Sequence, residues 1–80
     1  MTLLAVFRSR AQALDFSAAL KTAGVPAQAI ATPREARVGC GISIKFDDRF
    51  VSRARAVLGG KGYSAFSGLM KGGPNGYFYL

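Results

Sequence analysis

An α+β sandwich, with one antiparallel sheet carrying two helices on one face, is the fold this sequence predicts, and three observations predict it. Apolar runs rich in strand formers open the chain, recur near its middle and return towards its end. Two intervening stretches, Arg10 to Ala23 and the one from Asp47-Asp48 to Leu58, instead repeat apolar residues at helical spacing. Glycine or proline stands at the junctions, at Gly24, Pro26, Pro33, Gly41 and between Gly59 and Gly62, so the segments are short and alternate as β-α-β-β-α-β.

Thr2 to Phe7 is a nearly unbroken apolar run, the pattern of a central strand buried on both faces. Ser9-Arg10-Ala11-Gln12 has capping-box spacing, in which the serine hydroxyl accepts from a first-turn N–H and the glutamine reaches back. From Arg10 to Ala23 the residues Ala13, Leu14, Phe16, Leu20 and Ala23 mark an apolar helical stripe, and Gly24 supplies the residue that ends it. Pro26 to Thr32, opened by proline and rich in alanine, reads as a weak edge strand. Ile42-Ser43-Ile44-Lys45-Phe46 alternates strictly, which predicts a third strand with one apolar face and one that is at least partly wet.

Asp47 or Asp48 caps a second helix with the stripe Phe50, Val51, Ala54, Val57 and Leu58. Arg49, Arg53 and Arg55 face outward, and Gly59-Gly60-Lys61-Gly62 stops it. Tyr63 to Met70 is the fourth strand, broken by Gly68, and Lys71 to Gly76 is turn chemistry ending in Asn-Gly. The aromatic tail Tyr77-Phe78-Tyr79-Leu80 can return as an extra C-terminal strand, cover the open sheet face or serve a partner, and its composition favours packing.

With 80 residues there is room for one core, so residues 1–80 are read as a single domain. The opening apolar run lacks a basic leader and a cleavage site, and no apolar segment approaches the roughly 20 residues needed to cross a bilayer. One cysteine cannot form an internal disulfide, so a cytoplasmic location without a membrane partner is expected. The chain has no histidine and four acidic residues, Asp15, Glu35, Asp47 and Asp48. That inventory leaves little for a metal site or a paired-carboxylate hydrolase, so no metal and no cofactor are expected. A carrier or binding protein fits better than a stand-alone enzyme. The net charge of +7 favours an anionic partner, whether nucleic acid, acidic protein or small oxyanion, without choosing among them.

The element order is that of the split βαβ, or ferredoxin-like, sandwich. Its right-handed crossover makes the first two strands parallel, so the end of the first strand, the start of the first helix and the loop after the second strand share one end of the sheet. That loop, Thr32 to Gly41, holds the only cysteine. Gly39 and Gly41 leave the backbone beside Cys40 free to take positive φ, while Arg34 and Arg37 add the fixed positive charge that lowers a thiol's pKa. The topology brings Ser9 and Arg10, at the positive end of the first helix, and Lys61, at the end of the second, to the same end of the sheet. Cys40 is thus a candidate reactive thiol supported by Ser9, Arg10, Arg34, Arg37, Gly39, Gly41 and Lys61. A small buried apolar side chain is the other reading of a lone cysteine.

Thr32-Pro33-Arg34-Glu35, then Cys40-Gly41 and the alternating Ile42 to Phe46, resembles the small bacterial proteins described as selenium/sulfur carrier-like. The match spans most of the chain, including the opening strand and helix and the helix that follows Phe46-Asp47. The resemblance implies that Cys40 carries a persulfide or its selenium equivalent to a partner protein, with Arg34 and the helix terminus stabilising the anion. Better-known sulfur carriers of this size present Cys-Pro at a helix start, whereas Cys40 is followed by Gly41 and a strand. Two other readings stay open: nucleic-acid binding on the sheet of a basic domain, and a module that dimerises through its sheet, with Cys40 structural in either.

Overall fold

A computed structural model describes residues 1–37 and 41–80. Seven elements follow one another: β1 (Thr2–Phe7), α1 (Arg10–Thr22), β2 (Gln28–Ala31), β3 (Ile42–Asp47), α2 (Val51–Lys61), β4 (Phe66–Gly73) and β5 (Gly76–Tyr79), with short 3-10 turns at Arg34–Ala36 and Asp48–Phe50. β1 takes the centre of a single sheet of order β2-β3-β1-β4-β5, in which every neighbouring pair is antiparallel. The first four strands have the ferredoxin-like order, and the tail adds a fifth beside β4. Thr2 pairs with Asp47 and Val6 with Ser43, while Ile30 also faces Ser43, so β1 and β2 run in the same direction and end together.

Alternation along β1 divides the core in two. Leu3, Ala5 and Phe7 point to the helices and pack with Ala13, Phe16 and Leu20 of α1, Ala54 of α2, and Ile44, Phe46 and Leu69 of the flanking strands. Phe7 is the hub of this layer, with ring centroids 5.5 Å from Phe16, 5.4 Å from Tyr63 and 5.4 Å from Phe66. Leu4 and Val6 point the other way and pack with Ala36, Met70, Ile30 and Tyr77. A strand that is apolar on both faces therefore has a cover on both.

Ser9 caps α1, its hydroxyl accepting from Gln12 N at 3.2 Å, but the Gln12 side chain, expected to reach back, instead donates to Ser64 Oγ and accepts from Ala65 N; Gly24 follows the helix with φ +82°. The buried stripe is Ala13, Phe16, Ser17 and Leu20, an i, i+3, i+4, i+7 set; Leu14, expected within it, is exposed because it lies one residue off that line. Asp47 caps the second helical segment by accepting from Arg49 N at 3.0 Å. Gly59 and Gly60 do not stop α2: the helix runs through both and ends at Gly62, the left-handed residue, whose N–H reaches Leu58 O. Gly68 does not break β4 either, which passes through it with φ +150° and a register shift opposite Val6 and Phe7. The hairpin turn is Pro74-Asn75, joining Gly73 and Gly76, which pair across it.

The polar face of β3 is not wet at Ser43. That residue is fully buried and its hydroxyl lies 2.9 Å from Thr32 Oγ1, because the segment after β2 crosses above it.

Candidate functional site

The β2–β3 connection is closed at its base. Thr32 N donates to Gly41 O at 3.1 Å, extending the β2–β3 ladder by one bond, and Gly41 holds φ +85°. Pro33, at φ −66°, follows that last bond, and the chain then turns onto the sheet face away from the helices. Ala36 N donates to Pro33 O at 3.1 Å and Arg37 N to Arg34 O at 3.2 Å, which forms the 3-10 turn. Arg37 leaves the turn in the left-handed region at φ 57°.

This segment is a strap across the sheet. Ala36 is almost fully buried against Leu4, Val6 and Met70, on the two central strands. Beyond them β5 receives it: Tyr77 N donates to Glu35 Oε2 at 3.0 Å, and Tyr79 Oη donates to Ala36 O at 2.9 Å. The Tyr77 N–H bond holds the Glu35 carboxyl below its ordinary range, helped by Arg34 beside it. A strap that leaves the end of β2 thus reaches β5, on the opposite edge of the sheet and about four strand spacings or roughly 19 Å across the face.

Ring placement fits the strap to the sheet. The Tyr79 ring lies over Gly68, where a Cβ would sit 3.1 Å from it, and the Tyr77 ring lies over Gly72 at the same distance. Gly76 at the start of β5 has φ +108° and faces the Glu35 carboxylate, in space that a side chain would fill. Glu35, Tyr77 and Tyr79 escape a reading confined to the loop. Their one sequence signal is period two: Tyr77 and Tyr79 share a face in any strand, and that face needs the glycines of the strand beside it.

Arg34 and Arg37 sit on the strap and are exposed. Ser9 and Arg10 belong to the helix layer on the other side of the sheet, where the Ser9 hydroxyl is taken up by its cap. Lys61 Nζ lies 3.5 Å from Asp15 Oδ2, which also accepts from Tyr63 Oη at 2.7 Å. The Tyr63 bond holds the Asp15 carboxyl below its ordinary range, while burial, aided by Asp15, pushes the Tyr63 hydroxyl upward. A groove of about 530 Å³ between the helices, lined by Ala18, Ala19, Thr22, Val57 and Gly60, opens beside this pair. Gly39 and Cys40, with Val38, lie outside the described residues.

A ferredoxin-like α+β domain whose one cysteine belongs to a loop strapped over the sheet is the class of protein these features define. Residues 2–66 match the model of the family described as "Putative Se/S carrier protein-like". The chain belongs to that family. The matched stretch contains β1 through α2 and the whole strap, and ends at Phe66, the first residue of β4. Neither the curated proteins nor the solved structures give a match. No helix among the described residues is long and apolar enough to cross a membrane.

Proposed function

We propose that this protein carries sulfur or selenium on Cys40, receiving it from one partner protein and passing it to another. The observation that carries this reading is membership of a family described as carrier-like, across a matched stretch that includes the chain's only thiol. In the loading step the Cys40 thiolate attacks the terminal sulfur of a donor persulfide, R–S–SH. A new S–S bond forms to Cys40, the donor's S–S bond breaks, and the donor departs as the thiolate R–S⁻ with no net oxidation. The same displacement on R–S–SeH leaves selenium on Cys40. Attack needs the thiolate, which the cationic strap residues Arg34 and Arg37 favour, and Gly41 bonded to Cys40 leaves the backbone open to an incoming partner.

Two measurements test it. Incubation with inorganic polysulfide should add one sulfane sulfur to the protein by mass, and Cys40→Ser should abolish that addition while leaving the fold intact. Half-maximal alkylation of Cys40 should fall below the free-thiol value of about 8.5 and rise towards it in Arg34→Ala. Undiminished loading of Cys40→Ser, or a thiol that reacts only after unfolding, would refute the proposal. Stacking of bases on the open sheet face, the use that basic charge suggests, meets a face already covered by Ala36 and Tyr77.

A further inference from the structure

We propose that β5 is a latch on the strap, and that Glu35 and Tyr79 are positioning residues for the loop that leads to Cys40; this rests on the carrier reading for its role in transfer. The observations are the two bonds from β5, Tyr77 N to Glu35 and Tyr79 Oη to Ala36 O, made by a strand that lies wholly beyond the family-matched residues. Little else fixes the strap. Among the described residues its other hydrogen bonds are the two of the 3-10 turn, the one that closes its base and the one between the Thr32 and Ser43 hydroxyls at that base, and Ala36 is its single buried apolar anchor. A 3-10 turn of three residues has little stability of its own, so its geometry depends on what it docks against.

The two bonds have distinct jobs. Tyr79 Oη donates to the carbonyl of Ala36, the residue just before the left-handed Arg37 that closes the 3-10 turn. Glu35 takes a backbone N–H of β5, which ties the strap to the strand itself whatever side chain stands at residue 77. Gly68 gives the Tyr79 ring room to lie flat enough for its hydroxyl to reach. Freed of β5, the strap would sample many conformations. The charges of Arg34 and Arg37 would then act on the thiol only as an average rather than from fixed places.

The test uses the full chain with Tyr79→Phe, Glu35→Ala and the double variant, compared with Val57→Ala, which weakens the helix side and leaves the strap alone. Hydrogen exchange at the Ala36 and Arg37 amides should speed up about threefold to tenfold in each single variant, the effect of one lost hydrogen bond. Cys40 alkylation at pH 7 should slow by a similar factor, its midpoint moving up towards about 8.5, with Val57→Ala unchanged in both. Unchanged exchange in the double variant overturns the latch. Faster exchange with an unmoved alkylation profile, or a matching shift in Val57→Ala, overturns the positioning role. Polysulfide loading separates this from the carrier reading: a wild type that takes no sulfur yet shows the alkylation shift sinks carriage and keeps the latch. Normal loading with unmoved variants does the reverse.

Discussion

Gly68 and Gly72 show how much of this structure hangs on a missing Cβ. Each lies under a tail tyrosine, and glycine in a strand is commonly stabilised when an aromatic ring on the next strand covers its exposed backbone. Gly68 carries a second demand, since its φ of +150° is one that L-residues rarely adopt. Gly72 does not carry it, so a Cβ there meets only the Tyr77 ring at 3.1 Å and ordinary contact with Thr2 O at 3.7 Å. Gly68→Ala should therefore cost about 1–3 kcal/mol in urea unfolding, and Gly72→Ala distinctly less. Equal costs at the two sites would mean that ring contact, not backbone conformation, sets the penalty. In the sequence Gly68 reads as a strand breaker and Gly72 as part of a turn, because a propensity argument counts the entropy they cost and does not see the ring that fills the space. Ser43 misleads in the same way: alternation puts it on the outer face of β3, and only the strap above makes that face dry.

At the scale of elements, α2 holds two glycines for which the fold offers no packing reason. A Cβ at Gly59 or Gly60 meets nothing within 4 Å, neither needs positive φ, and both lie inside the helix. Gly62, two residues on, is the opposite case: it sits at φ +60° and closes the helix. Gly59→Ala and Gly60→Ala should each stabilise by roughly 0.5–1 kcal/mol, raising Tm by several degrees in a domain of this size. Gly62→Ala should lower it, since alanine tolerates the left-handed region poorly. A thermal melt of the three variants decides the matter, and a fall in Tm for Gly59→Ala or Gly60→Ala would contradict the open space seen around them. Other helix boundaries were readable for physical reasons: Ser9 and Asp47 are caps with free hydroxyl or carboxylate oxygens, and Gly24 follows α1 in the left-handed region. The GGKG run was not, because composition alone cannot say which glycine takes positive φ. Arg53 Nη1 donates to Ala23 O at 3.2 Å, so one arginine of the outward face also serves the negative end of α1.

For the whole molecule, element order and sheet topology were legible because they follow from local periodicity and from the handedness of one crossover. The strap was not, since its partners on β5 stand more than 40 residues away and no local pattern announces them. Lys61, expected to support the loop thiol, pairs with Asp15 on the helix side. The distribution of charge then makes a global statement about pH. Asp15, Glu35 and Asp47 are all held below their ordinary values, 3.8 for the aspartates and 4.5 for the glutamate, chiefly by Tyr63 Oη, Tyr77 N and Arg49 N respectively. A carboxyl with a depressed folded-state pKa contributes stability that is present above its unfolded value and lost as pH falls through the folded one. Protonating all four acidic residues also leaves eleven lysine and arginine charges unopposed, and their self-repulsion acts in the same direction. The urea midpoint should accordingly be flat from pH 7 to pH 5 and fall steadily below 4.5. Glu35 defines the start of that window and also ties the strap, so the protection factors of the Ala36 and Arg37 amides should fall in acid before those of the helix-side core. In Glu35→Gln that early loss of protection should vanish, the bond being weakened at every pH, while the later global fall driven by Asp15 and Asp47 persists. A wild type in which strap and core amides lose protection together would show that the strap has no separate opening in acid.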